Sequence, residues 1–417
     1  MGRFYSKTIN FFKNIFAKVE IILILVSAQS ILAVTLYLPS MPFIAQDFNM
    51  NNSTVQQAIS LFIIGQAILP LFLGYLADYL GLKKIMIISM IFFVFSCFLT
   101  LIFPTAYGLL ISRFLQGGFS QAGITISRAM VRETSTYNEI VKTLSWIAVV
   151  QAVIHLTSPF LGGWIIETSH WSNSFYILGV MGIISVSLTL LWQEKENESD
   201  QAINKISFSH TKEILFSPQF VGYSFIVSTL HLSTIFFFTI SPFYFITFWK
   251  ISPEIYGIYL GITSLGFITG SFVLTLFSNR LNHEKILSSS LYLGFLSGLI
   301  ILLASFYDKN IIELIVVSQF LYAFAKSLMS PILQSKVISL FPKKRATCSS
   351  IFNFISTITA PLGSLLGSFF NNEIAILVLS ITIIFTSFLN IIFYSLINRK
   401  KSIPCENPTC ASSPDIS

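Results

Sequence analysis

Charge is scarce in this chain and missing where it would matter most. Only 10% of its 417 residues are Asp, Glu, Lys or Arg, against about 25% in a soluble domain. Water is therefore the wrong solvent for most of its length. None of its 18 acids lies in the middle of an apolar run; the nearest to one are Glu20, Asp47, Asp78, Glu139, Glu167 and Glu313. The four cysteines give no disulfide framework, and Cys405 and Cys410 read as reduced thiols of a polar tail or as a weak metal pair. No polar stretch is long enough to fold alone, which argues against a sensor with a soluble domain. A phosphate-binding glycine loop, a His-Glu-x-x-His pair, a metal-spaced Cys or His cluster and a nucleophile beside a base are all absent. An enzyme, a resident metal and a cofactor are therefore not expected, and nothing reads as an ion-channel filter.

What the chain has instead is apolar length. Hydrophobic residues make up 54% of it, and the mean hydropathy is +0.76. Twelve runs are each long enough to cross about 30 Å of hydrocarbon. They cover approximately 21–45, 54–77, 85–103, 106–127, 143–166, 174–192, 217–247, 255–278, 286–306, 311–335, 347–370 and 374–397, and are numbered helices 1 to 12. The runs are continuously apolar rather than alternating, so a β-barrel is excluded and an all-α membrane protein is expected.

A formal net charge of +7 would suit nucleic acid, but its placement points to a bilayer. With alternate loops assigned to the cytoplasm, twenty of the 25 Lys and Arg fall on that side, Lys250 and Lys309 fall opposite, and Arg113, Lys326 and Lys336 lie within helices. The positive-inside rule then sets both termini in the cytoplasm. The stretch QEKENESDQAINKISFSHTKEILF, residues 193–216, is the longest polar break between runs and divides the chain six plus six. The expected organisation is an N-terminal segment at 1–19 (an interfacial helix or an unstructured leader), a bundle at 20–192, a linker at 193–216, a second bundle at 217–398 and a tail at 399–417. Two six-helix halves joined in this way suit a transporter that rocks around a central site.

Several motifs sharpen this. After helix 2 stands GYLADYLGLKK, Gly74 to Lys84. Gly74 and Gly81 permit close approach and a tight turn, Asp78 suits a helix N-terminus or a cation, and Lys83 and Lys84 suit a cytoplasmic headgroup surface. The segment is similar to the loop signature G-x-L-x-D-x-x-G-R-[KR] of the major facilitator superfamily, with Leu82 at the usual arginine. In helix 4, LISRFLQGG places Arg113 about 10 Å into the helix; it resembles the buried-arginine motif of that superfamily. TSPFLGG in helix 5, with Pro159, Gly162 and Gly163, resembles its antiporter signature, with Ser158 in place of a glycine. YLPSMPFIAQDF, RAMVRE, SPFYF, SPEIYG and ATCSSIFNF add a resemblance to the bicyclomycin and chloramphenicol resistance (Bcr/CflA) exporters over most of the chain. The resemblance implies a twelve-helix drug and proton antiporter of the bacterial inner membrane, built from two pseudo-symmetric bundles and monomeric, with Gly74, Asp78, Gly81, Lys83, Lys84, Arg128 and Arg132 as a conformational latch.

One departure changes the expected chemistry. That branch usually has an acid before the Tyr-Leu-Pro of helix 1, where this chain has Thr35. What lies inside the apolar runs is basic or polar: Arg113, Lys326, His155, His231, Gln116, Gln151 and Gln319. A buried cation is unfavourable unless water or an anion visits it. Arg113 and Lys326 are thus expected to clamp an organic anion, a carboxylate metabolite or carboxylate siderophore, with Tyr37, Gln116, Gln151 and Gln319 around it. His155 or His231 is the candidate proton carrier, although either also suits a helix-to-helix hydrogen bond. Tyr37, Phe62, Phe237, Phe238 and Phe243 read either as an aromatic wall or as lipid-facing and core side chains.

Overall fold

The computed structural model describes residues 19–134, 137–192, 213–277, 282–306, 312–341, 345–370 and 372–401. The N-terminal segment, most of the linker and the tail cysteines lie outside them, as do the side chains of Asp78 and Arg132.

In hydrocarbon every backbone amide needs an internal partner, and the long apolar runs meet that need as helices. Among the described residues there are twelve helical rods. Helix 1 runs in two pieces, Val19–Thr35 and Tyr37–Asp47; helices 2 to 6 are Asn52–Leu80, Leu82–Ile102, Ala106–Thr134, Tyr137–Thr168 and Ser172–Leu191. Helix 7 is Pro218–Pro242 continued by a π-turn, Phe243–Phe248, and helices 8 to 10 are Pro253–Phe277, His283–Ala304 and Ile312–Leu340. Helix 11 is Arg345–Ile358 with Ala360–Ser368, and helix 12 is Asn372–Lys401.

Ten of these are long and apolar enough to cross a bilayer as they stand, and the bent helix 1 makes an eleventh. Helix 4 is the polar one, and its neighbours carry it across. Ser112, Arg113, Gln116 and Ser120 are all buried, so its polar face meets protein rather than lipid.

Helix 1 bends by 48° at Leu36, and the cause is local. Pro39 has no amide proton for the Thr35 carbonyl one turn back, and its ring crowds that oxygen. Packing then repeats at an offset of six helices. Helix 2 lies on helix 4 as helix 8 lies on helix 10; helix 3 touches helices 4 and 6 as helix 9 touches 10 and 12. Across the middle, helix 5 meets helix 8, helix 2 meets helix 11, and the Tyr37–Asp47 piece of helix 1 meets helix 7.

Candidate functional site

The two sets of helices are closest at one end. A Cβ placed on Gly163 of helix 5 would fall 2.1 Å from the Pro253 carbonyl oxygen of helix 8, and one on Gly257 of helix 8 would fall 2.4 Å from the Pro159 carbonyl oxygen of helix 5. Each helix thus presses a glycine onto the other's backbone, an approach that any side chain would prevent. On the opposite flank Ser364 Oγ donates to the Gln56 carbonyl at 2.9 Å and Ser60 Oγ to the Pro361 carbonyl at 3.4 Å. These contacts hold the two sets of helices together at the end that carries residues 37–60, 159–168, 243–261 and 360–368. Gly162 faces helix 1 instead, with the Leu36 carbonyl 3.0 Å from a Cβ placed there.

Within the molecule is a cavity of about 310 Å³ lined by helices 5, 7, 8 and 10. Its polar groups are His155, His231, Thr234, Thr263, Ser264, Gln319, Tyr322 and Lys326, and its apolar wall includes Phe237, Phe238 and Phe267. Lys326 Nζ donates to Thr234 Oγ1 at 2.8 Å, and the Thr234 hydroxyl in turn donates to the Leu230 carbonyl at 2.8 Å. An ammonium has three donors, so two remain for the cavity. Gln319 is 4% exposed, and its Nε2 has no hydrogen-bond partner. No Asp or Glu lines this space among the described residues.

Lys326, Gln319, His155 and His231 line this one cavity, and Arg113 does not join them. It is 1% exposed in the core of the first six helices. Its guanidinium lies 4.0 Å from the centre of the Tyr37 ring and 4.5 Å from that of Phe62, and Nη1 donates to the Ala33 carbonyl and to Gln116 Oε1, each at 2.8 Å. Tyr37 donates to the Val55 carbonyl at 3.2 Å, and Gln116 Nε2 to the Ser96 carbonyl at 3.1 Å. This cluster supports the bend of helix 1, because the helix is interrupted at Leu36 and Arg113 holds the carbonyl of Ala33 just before the break. The two-cation clamp is thus corrected to a single cavity cation, Lys326. Gln151 is half-buried on helix 5 and does not line the cavity. Thr234, Thr263, Ser264, Tyr322 and Phe267 were not anticipated; Thr234 shares a helix face with His231 and Tyr322 one with Lys326, while Thr263, Ser264 and Phe267 of helix 8 carried no such signal.

The sequence profile of the Major Facilitator Superfamily matches residues 23–364 and 233–409. The chain belongs to that superfamily. It is 28% identical over 296 residues to the uncharacterized MFS-type transporter YdgK of Bacillus subtilis, covering 70% of this chain and 73% of that one. To a bicyclomycin resistance protein homolog of Haemophilus influenzae it is 24% identical over 344 residues, 80% and 84% of the two chains. To the chloramphenicol resistance protein CraA of Acinetobacter baumannii it is 24% identical over 301 residues, 71% and 72%. Its fold is that of the nucleoside transporter NupG (D323A mutant), with a TM-score of 0.75 at 14% identity over 90% of this chain and all of that one. A bacterial homolog of the lysosomal transporter Spinster, in an inward-facing and unoccupied conformation, gives 0.71 at 14% identity over 91% and 96%. This superfamily member is a secondary transporter.

Its loop signature can now be placed. Gly81 has φ +91° between helices 2 and 3, a conformation that glycine alone adopts without strain. Lys83 Nζ donates to the Trp192 carbonyl at 2.6 Å and lies 5.9 Å from the centre of that ring, tying helix 3 to the end of helix 6 rather than to the other set of helices. Nothing lies within 4 Å of a Cβ placed on Gly74. Lys84 and Arg128 are exposed.

Proposed function

We propose that this transporter exports a drug-like or anionic organic solute from the cytoplasm of a bacterium, by alternating access between bundles 20–192 and 217–398. It would sit as a monomer in the inner membrane with both termini cytoplasmic and protons as the coupling ion. The observation that carries this reading is a cavity shared across the middle, with His155 from the first set of helices and Lys326 from the second, below an end held together at Gly163 and Gly257. In that orientation the joined end faces outward and the cavity loads from the cytoplasm. The open space around Gly74 is then a disengaged latch, which would close when the inner end closes. The names of the bicyclomycin and chloramphenicol relatives support export of small organic molecules.

A second reading has its own support. The helix 1 position that carries the acid in this branch is a buried threonine hydrogen-bonded to Ser158, so a carboxylate siderophore or metabolite could move without coupling at that acid, outward or inward. Everted membrane vesicles energised with a proton gradient, and offered chloramphenicol, a fluorescent organic anion and a fluorescent lipophilic cation, test the export reading. Accumulation of chloramphenicol or the anion is expected. Accumulation of the cation alone, or uptake only in right-side-out vesicles, would contradict it.

A further inference from the structure

Among the described residues the cavity holds three groups that can carry a positive charge and no carboxylate. Helix 10 contributes Lys326, helix 7 His231 and helix 5 His155; helix 8 contributes only Thr263, Ser264 and Phe267, and the remaining polar groups are Thr234, Gln319 and the Tyr322 phenol. Like charges in one small space repel one another, which disfavours charging all three at once. The empty cavity therefore holds fewer protons than it has bases. The place where proton and cargo would compete, an acid on helix 1, is occupied by Thr35, whose hydroxyl is 2.6 Å from Ser158 Oγ.

We infer that an organic anion and a proton enter this cavity together: the anion settles on Lys326, and His155 or His231 takes up a proton from the aqueous side. This inference rests on reading the cavity as the cargo site. An anion beside Lys326 and Gln319 Nε2 cancels the repulsion that kept a neighbouring base neutral, and the bound proton in turn strengthens the anion's hold. That reciprocity is required of any two ligands that share a coupling free energy. A lipophilic carboxylate fits best, its charge on the ammonium and its hydrocarbon on Phe237, Phe238 and Phe267. The proton neutralises the cargo's charge in transit, so the two move in the same direction; the inference therefore belongs to the second reading above, a carboxylate that an inward proton gradient drives into the cell, and not to export in exchange for protons.

The test is calorimetric titration of the purified full-length protein with 1-naphthoate and with its neutral isostere 1-naphthamide, in buffers of different ionisation enthalpy near pH 7.5 to 8.5. The expected result is net proton uptake with naphthoate only, and naphthoate affinity that falls about tenfold as the pH rises. A His155→Gln/His231→Gln variant should lose most of the uptake and, with it, the pH dependence of naphthoate affinity, binding naphthoate more weakly at pH 7.5, and Lys326→Gln should weaken naphthoate alone by about tenfold. Naphthoate binding with no uptake, with proton release, or with the same uptake as naphthamide overturns the inference and leaves the cargo site standing. No binding of either probe overturns the cargo site itself.

Discussion

The hydroxyls of Thr35 and Ser158 are 2.6 Å apart, and both are buried, joining helix 1 to helix 5. Each stands where the chain departs from the branch it resembles: Thr35 at the usual helix 1 acid, Ser158 at the first glycine of the antiporter signature. The two departures therefore touch. Helix 1 is pinned there just before its bend, beside the carbonyl that Arg113 holds.

That bond is a local tether rather than a coupling site. Thr35→Val and Ser158→Ala should each cost about 0.6 kcal/mol, as is typical of hydrogen bonds between membrane helices. Thermal unfolding in detergent measures this cost, and transport should stay within about threefold of the wild type. Loss of proton dependence in either variant would return the coupling role to helix 1.

The joined end depends on two glycines. Gly163→Leu or Gly257→Leu puts a side chain where the opposing carbonyl oxygen lies 2.1 or 2.4 Å from a mere Cβ, so the helices must separate. A Gln56→Cys/Ser364→Cys pair, with the native cysteines replaced, reports the result through its disulfide yield. High yield is expected in the parent and at least about a fivefold drop with either leucine.

The two buried cations should separate by phenotype. Arg113→Ala leaves the Ala33 carbonyl and the Gln116 side chain without their donor, a loss of about 1–3 kcal/mol for each buried group. The unfolding temperature should fall sharply, and Arg113→Lys should not restore it, because one ammonium cannot reproduce a planar guanidinium held between two rings. Lys326→Ala should leave the unfolding temperature within a few degrees of the wild type.

Much of this was legible in the sequence, and the limit has a physical form. Hydrophobic length and the polar break at 193–216 locate helices, because in lipid a long apolar run has no other regular structure. Gly81 was legible because a positive φ admits few residues, and the cost of buried polarity singled out Lys326, Gln319, His155 and His231 without saying that they share one cavity. Arg113 carries the same cost, but nothing in the sequence says whether a cavity or a ring and a carbonyl from another helix meets it. The mutual fit of Gly163 and Gly257, and the contact of Thr35 with Ser158, join residues about 90 and 120 positions apart, and local pattern does not reach that far.

The turn after helix 2 offers a prediction that does not involve cargo. Gly81→Ala should cost about 1–3 kcal/mol through strain at a positive φ with extended ψ, and Lys83→Ala about 1 kcal/mol through the lost bond to the Trp192 carbonyl. Chemical denaturation checks both, and substrate affinity should not change in either.

Proteoliposomes containing wild type, Lys326→Ala or Lys326→Arg, loaded in turn with a lipophilic organic anion and a lipophilic cation of matched size, give the most direct measurement. The expected result is anion efflux by the wild type, a fall of at least about tenfold in Lys326→Ala and partial recovery in Lys326→Arg. Cation efflux by the wild type, or anion efflux unchanged in Lys326→Ala, would contradict a cavity that holds its cargo on Lys326.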